Sequence, residues 1–412
     1  MKKADIITLH TVSNYGSCLQ TYATQRIFEQ CGWEAEIIDY YRKDNTPDAA
    51  VDRMFESSKL KKLSMLWKKM PILKKLASIP LKSMVSKQRK PFDDFRKKYL
   101  NLTEVSYFSE EQLESNPPIA DLYCTGSDQV WNSIWNKGFE KPFYLEFAPE
   151  GKPRIAFAAS IGRESIDDWE IEPMREELLK YSHISVREAE AADLLDSIGV
   201  HGAVPVIDPT LMLTQDDWAE LHSDDVPKEP FILIYQLNRN HEFDEYAKRL
   251  SEKLGLPLYR IAYGVNERRA GVHTIVCPTV EQFVSLFMSA EYVVTDSFHG
   301  TAFSMNLSKK FVSISPGRFS GRIMNLLEMT GETGQYLQDY RDLSVVDNPI
   351  DYQHVHQVFE IKRGERIAVI GNNGTGKTTM LKIINGLVNA DSGRFSLGSK
   401  VQIGYYDQEH HV

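Results

Sequence analysis

Within the first forty positions the apolar residues change period twice. DIITLH (5–10) is a short apolar run, TVSNYGS carries turn chemistry, and CLQTYATQRIFEQCG repeats its apolar residues at helical spacing as far as Gly32. AEIIDY (35–40) is apolar again, so the chain opens as a β-α-β unit. Beyond residue 120 the pattern resumes: DLYCTGS, RIAFAAS, HISV and VPVI read as strands, with PMREELLKY and EAEAADLLDSIG as helices between them. Strands alternating with helices predict a parallel, doubly wound sheet, here over residues 1–215. DPTLMLTQDDWAELHSDDVPKEP, acidic and with three prolines, reads as a connector. The alternation then restarts. FILIYQL, LPLYRIA, TIVC, YVVTD and KKFVSI are strand-like, and HEFDEYAKRLSEKLG, TVEQFVSLFMSA and FHGTAFSMNLS are helix-like, which predicts a second α/β domain over 225–350. Two such domains are expected to face each other across a cleft at the carboxyl ends of their strands.

Composition adds exclusions. A chain of 412 residues is too long for one core, and 42% hydrophobic with 25% charged residues is ordinary globular usage. No apolar run reaches the roughly 18–20 residues of a membrane span. Asp5 and His10 interrupt what a signal-peptide core would need, so a cytoplasmic protein is expected. Cys18, Cys31, Cys124 and Cys277 lie far apart without CxxC spacing, which suggests neither a disulfide framework nor a zinc site. Cys18 is expected to be a buried, inert thiol.

The net charge of −9 conceals an asymmetry: Lys59–Lys98 holds fourteen Lys/Arg and two acids, or +12, which leaves −21 on the rest. Nucleic acid is therefore not an expected partner. The insertion 52–98 is basic and amphipathic, and Pro71 and Pro80 are expected to divide it into short helices. Such a segment suits an anionic membrane surface on the cytoplasmic side, or equally a solvated insertion packing on its own domain.

A third pattern occupies 355–412, where VFEIKRGERIAVIG reads as strand, turn, strand. Gly371, Asn372, Asn373, Gly374, Thr375, Gly376, Lys377 and Thr378 match G-x-x-x-x-G-K-[ST], with Thr379 following at the start of a helix-like stretch. Backbone N–H groups of such a loop cradle phosphates, the lysine reaches the β/γ-phosphates and the Thr378 hydroxyl would ligate Mg²⁺. The segment resembles the start of an ABC-type ATPase domain, most like the ABC-F group, with Gln408 at the Q-loop position. ATP with Mg²⁺ is the cofactor this resemblance implies. The 35 residues after Lys377 contain no signature motif and no Walker B carboxylates, so a partial P-loop NTPase fragment with minimal hydrolysis is expected.

Six blocks in the main body carry another resemblance: ITLHTVSNYGSCLQTYATQRIF, TGSDQVWN, FAASIG, SVRE, VIDPTLML and TDSFHGTAFSMNL. In that order, over roughly residues 4–350, they resemble the polysaccharide pyruvyl transferase family. The resemblance implies two Rossmann-like domains in the arrangement of B-type glycosyltransferases. It also implies transfer of the enolpyruvyl carbons of phosphoenolpyruvate to a glycan or lipid-linked oligosaccharide as a ketal, with no further cofactor and no metal.

That chemistry needs an acid/base group and cationic or N–H contacts for a small trianion. His299, after the strand YVVTD at a helix start, is the acid/base candidate. Asp128 is expected to hydrogen-bond the acceptor or assist the base, or else to cap a helix. Arg187, Arg318 and Arg322 are candidates for the donor's carboxylate and phosphate. Ser297 stands where some family members have a donor-binding arginine. Asn14 and Gly16, in the first β–α turn, would bring backbone N–H groups to the donor. Trp131 and Trp135 are either sugar-stacking rings or core. A same-fold enzyme using a nucleotide sugar, and a regulatory protein acting through the P-loop, are the competing readings.

Overall fold

The computed structural model describes residues 2–46, 49–51, 71–264, 267–315 and 321–364. Its described strands form two six-stranded sheets, one for each predicted α/β domain, and every pairing is parallel. The first sheet comprises β1 (Lys2–Ile7), β2 (Trp33–Ile37), β3 (Leu122–Thr125), β4 (Arg154–Ala159), β5 (His183–Val186) and β6 (Val204–Pro205), in the order β2-β1-β3-β4-β5-β6. The second comprises β7 (Ile232–Tyr235), β8 (Leu258–Ala262), β9 (His273–Val276), β10 (Tyr292–Thr295), β11 (Lys310–Ile314) and β12 (Tyr336–Leu337), in the order β12-β11-β10-β7-β8-β9. The strands β7 and β10 are buried at every position, as expected of a parallel sheet covered on both faces. In the first sheet the strand order reverses between β1 and β3; in the second it reverses between β7 and β10. Ligands of such sheets bind beyond the carboxyl ends of strands at these reversals.

The two sheets share one core. Tyr15, at the start of helix Tyr15–Gln30, stacks on Phe283 with ring centroids 4.4 Å apart and donates from its hydroxyl to the Pro278 carbonyl at 2.7 Å. The supposed connector is part of this core. Trp218 is buried against Phe303 and donates to the Thr210 carbonyl, so residues 208–221 are packed rather than loose.

Two expectations are corrected. The basic insertion is not divided at Pro80: the helix Pro71–Tyr99 begins at Pro71 and runs on with Pro80 and Pro91 inside it. Pro71 suits a first helical turn, where its missing N–H costs nothing. Beyond Pro80, burial of Phe92 and Phe95 outweighs the lost backbone hydrogen bonds. Phe92 lies 4.8 Å from the Tyr15 ring, and Lys98 pairs with Glu281 of the second domain at 3.0 Å. From Val85 to Tyr99 the apolar stripe is thus engaged by the protein itself; residues 52–70 lie outside the described residues. Among the described residues no helix is long and apolar enough to cross a membrane.

The second correction concerns the start of the tail. Residues 352–364 form a helix, not a strand, and the main compact unit runs to Lys362. Val355 and Phe359, four residues apart on one helical face, are buried in the core shared by the two sheets, and Asp351 accepts from the His354 N–H at 3.0 Å as a cap. The helix thus packs with the main unit as far as Lys362.

One core carboxylate gives the fold a pH dependence. Asp5 in β1 is buried without a hydrogen-bond partner, with the Lys3 ammonium 3.5 Å away. Burial pushes its carboxyl up to about 7. Because the folded state favours the protonated form, this group's contribution is fully present below the unfolded value near 4 and is lost as pH rises through about 7. Asp5→Asn is therefore expected to be more stable than the parent at pH 8, by up to roughly 3–4 kcal/mol, and indistinguishable from it at pH 4. Urea denaturation at the two pH values checks this; an equal difference at both would remove Asp5 as the cause.

Candidate functional site

The loops after β1, β3, β5 and β10 bring their side chains to one place. Helix Tyr15–Gln30 begins with Asn14 as N-cap, its side chain accepting from the Ser17 N–H at 3.2 Å. Helix Phe298–Asn306 begins with Ser297 as N-cap, accepting from Gly300 N–H at 3.3 Å. The two helix starts meet. A Cβ placed on Gly16 would lie 2.1 Å from His299 Nδ1, so only glycine lets the first β–α turn of one domain lie against the imidazole of the other.

His299 is buried, and its Nε2 has no hydrogen-bond partner; Asp208 Oδ2 is 3.7 Å away. Asp208 is itself held firmly. One of its oxygens accepts from the backbone N–H and hydroxyl of Thr210 at 2.9 and 2.7 Å, and the other accepts from Arg187 Nη1 at 2.7 Å. Burial pushes this carboxyl up, but the facing His299 and Arg187 outweigh it and hold Asp208 well below the usual carboxylate range. Arg187 also reaches Glu188 from Nε at 3.2 Å and lies 3.8 Å from Asp128 through Nη2. The three carboxylates keep its guanidinium charged despite burial.

Asp128 follows β3 with φ at +73°, a left-handed conformation uncommon for a side chain other than glycine. The turn directs its carboxylate to the Ser17 hydroxyl, which donates at 2.5 Å. Burial raises the Asp128 carboxyl, and Arg187, followed by His299, lowers it further than that, so the net shift is downward. Arg322, in the helix Gly321–Thr330, lies 5.9 Å from the Phe298 ring, and Arg187 lies 5.2 Å from the same ring. Its Nε is buried without a partner, and burial together with the nearby Arg187 lowers its proton affinity.

These groups thus gather at the strand-order reversals of both sheets. The sequence model of the family described as polysaccharide pyruvyl transferase matches residues 14–318, a span that contains every one of them but Arg322. The chain belongs to the polysaccharide pyruvyl transferase family. A second family model, described as ABC transporter, matches residues 356–412. There the chain is 51% identical over 49 residues to the ATP-binding protein Uup of Escherichia coli, a match covering 12% of this chain and 8% of that protein. It spans less than a quarter of the other ABC-type relatives it matches. Solved structures with a similar trace include a UDP-N-acetylglucosamine 2-epimerase from Rickettsia bellii, at 10% identity over 94% of this chain and 96% of that one, TM-score 0.46. Another is the E. coli ADP-heptose lps heptosyltransferase II, at 12% identity over 88% and 99%, TM-score 0.38.

The chain's place in the pyruvyl transferase family rests on residues 14–318. Of its predicted site residues, His299, Asp128, Arg187, Gly16 and Arg322 come together, whereas Asn14 and Ser297 act as helix caps at the same place. Arg318 lies outside the described residues, as do Gly371, Asn372, Asn373, Gly374, Thr375, Gly376, Lys377, Thr378, Thr379 and Gln408. Asp128 does not cap a helix: Asn132 caps the following one. Trp131 is core, whereas Trp135 is exposed. Cys18 is buried, and burial pushes its thiol up to about 12, so it is no nucleophile. Sequence reasoning missed Asp208, Glu188 and Ser17. Asp208 stood in a block that reads as a connector, and its signal was an Asp-Pro pair at a helix start. Among the described residues no cluster of ligating side chains could hold a metal ion.

Proposed function

We infer that this chain transfers pyruvyl from phosphoenolpyruvate to two hydroxyls of a sugar unit in a glycan. The observation that carries this reading is a buried imidazole whose Nε2 makes no hydrogen bond, beside two buried guanidinium N–H groups that also make none, Arg187 Nη2 and Arg322 Nε. The imidazole suits proton transfer at a carbon, and the guanidinium edges suit the carboxylate and phosphate of a small trianion. Arg187 is committed to three carboxylates, so the donor's charge falls mainly on Arg322.

In this reading a proton is delivered to the methylene carbon of the donor, which becomes the methyl group. One sugar oxygen bonds to the neighbouring carbon and loses its proton to a basic group of the site. A second sugar oxygen then displaces phosphate at that carbon, closing the ketal, and its proton leaves with the phosphate. Gly16 lies against the Nδ1 edge of the imidazole, and Asp208 lies 3.7 Å from its Nε2. The full chain, given phosphoenolpyruvate and bacterial polysaccharides, is expected to release phosphate in equal amount to acid-labile ketal pyruvate on the polymer. Turnover with a nucleotide sugar and none with phosphoenolpyruvate would reject the donor.

A further inference from the structure

Two tryptophans stand out on the segments that follow β3 and β4. Trp135 is 57% exposed and Trp169 is 55% exposed, and Ile134 beside them is 63% exposed. An isolated exposed apolar residue calls for no explanation. Two indoles on one stitched frame are different, because each forgoes a large burial gain.

The frame is rigid and polar. Helix Ser133–Asn136, which bears Trp135, is tied to helix Asp168–Leu178, which bears Trp169, by a buried hydrogen bond from Ser133 Oγ to Glu170 at 2.7 Å. Glu170 is fully buried, and its other oxygen pairs with Arg163 at 2.6 Å. The frame is also continuous with the site. Asn132 caps the Trp135 helix and donates to Gln129 at 2.7 Å, and the Gln129 N–H donates to Asp128 at 2.9 Å. A Cβ on Gly162, between β4 and the Trp169 helix, would fall 2.3 Å from the Gln129 side chain, so the two loops interlock there. Both loops leave the carboxyl ends of adjacent strands, β3 and β4, on the side where the site lies.

We propose that Trp135 and Trp169 form a stacking platform for the glycan acceptor, holding sugar units next to the one that receives pyruvyl. Sugar rings present an apolar C–H face that packs on an indole, with hydroxyls left at the rim for solvent and polar partners. An indole offers a large apolar face with only two side-chain torsions to fix, so holding such a chain costs little entropy. The proposal rests on the acceptor reading above and extends it from one sugar unit to a polymer.

The test uses the full chain, fluorescently labelled, on a printed array of purified bacterial capsular and secreted polysaccharides. The parent protein should bind at least one polymer. Trp135→Ala combined with Trp169→Ala should weaken that binding by about 4–140-fold, since each stacked ring contributes roughly 2–12-fold. Replacing Ile119, an exposed residue outside both helices, should change nothing, and unchanged thermal melting shows that the double variant is folded. With phosphoenolpyruvate as donor, the double variant should raise KM for the polymer while leaving KM for the donor unaltered. Array binding that fails in the parent, or that is equal in the double variant, overturns the platform. So does a double variant that only changes the oligomeric state in sedimentation, which would make the rings a contact with a second copy. If array binding is lost in the variant while no protein transfers pyruvyl, the platform stands and the donor assignment fails.

Discussion

Replacing His299 by glutamine is expected to lower pyruvyl transfer by about 10²–10⁴-fold, the usual worth of a positioned proton-transfer group. Glutamine keeps similar volume and polarity, so melting temperature should hardly move. Gly16→Ala should show the same defect by another route. The added methyl would lie 2.1 Å from Nδ1 and 2.5 Å from Cγ of His299, distances no real contact tolerates, so the ring must swing aside. Displacing a reacting group by about 1 Å costs on the order of 10²-fold. Both variants should be assayed for turnover and for melting. A His299→Gln protein with more than half the parent turnover would remove His299 from the chemistry, whatever Gly16→Ala does. Loss in His299→Gln with full activity in Gly16→Ala would show that the ring has room to move.

Arg187→Met should primarily destabilise the fold, by about 3–5 kcal/mol, before any effect on donor affinity can be read. The side chain is buried against Asp208 at 2.7 Å, Glu188 at 3.2 Å and Asp128 at 3.8 Å. Removing the cation leaves these carboxylates facing one another away from water, which is far more unfavourable than losing a surface pair. The sign with pH follows from the same geometry. Asp208 and Asp128 are held below their ordinary values in the folded protein, so the stability they contribute is present above about pH 4 and fades as pH falls toward their folded values. The gap between parent and variant should therefore be widest near neutrality and narrow in acid. Urea denaturation at pH 7 and pH 4 measures it; an unchanged midpoint at pH 7 would show that the carboxylates find other partners.

Much of this was legible in the residues alone, for a physical reason. A parallel strand buried on both faces must be apolar throughout, and ILIY of β7 and YVVT of β10 could be little else. Helix starts show themselves through local capping chemistry, as at Asn14 and Ser297. Hence the two alternating domains, the first β–α turn and the position of His299 at a helix entry followed from short-range pattern.

What pattern could not carry is which distant segments meet. Pro80 and Pro91 argue against one long helix, yet Phe92 and Phe95 find a core supplied by Tyr15 and Tyr22 of the first helix, and packing prevails over local propensity. Val355 and Phe359 look equally like strand residues until the shared core takes them onto one helical face. Asp208 sits in a proline-containing, acidic stretch with the appearance of a linker. It becomes a member of the site only because Arg187 and His299, from different strands, fold against it. Motif residues and their order are thus properties of the chain, whereas the charge balance around His299, and the glycine needed beside it, depend on two sheets meeting at the reversals of their strand order.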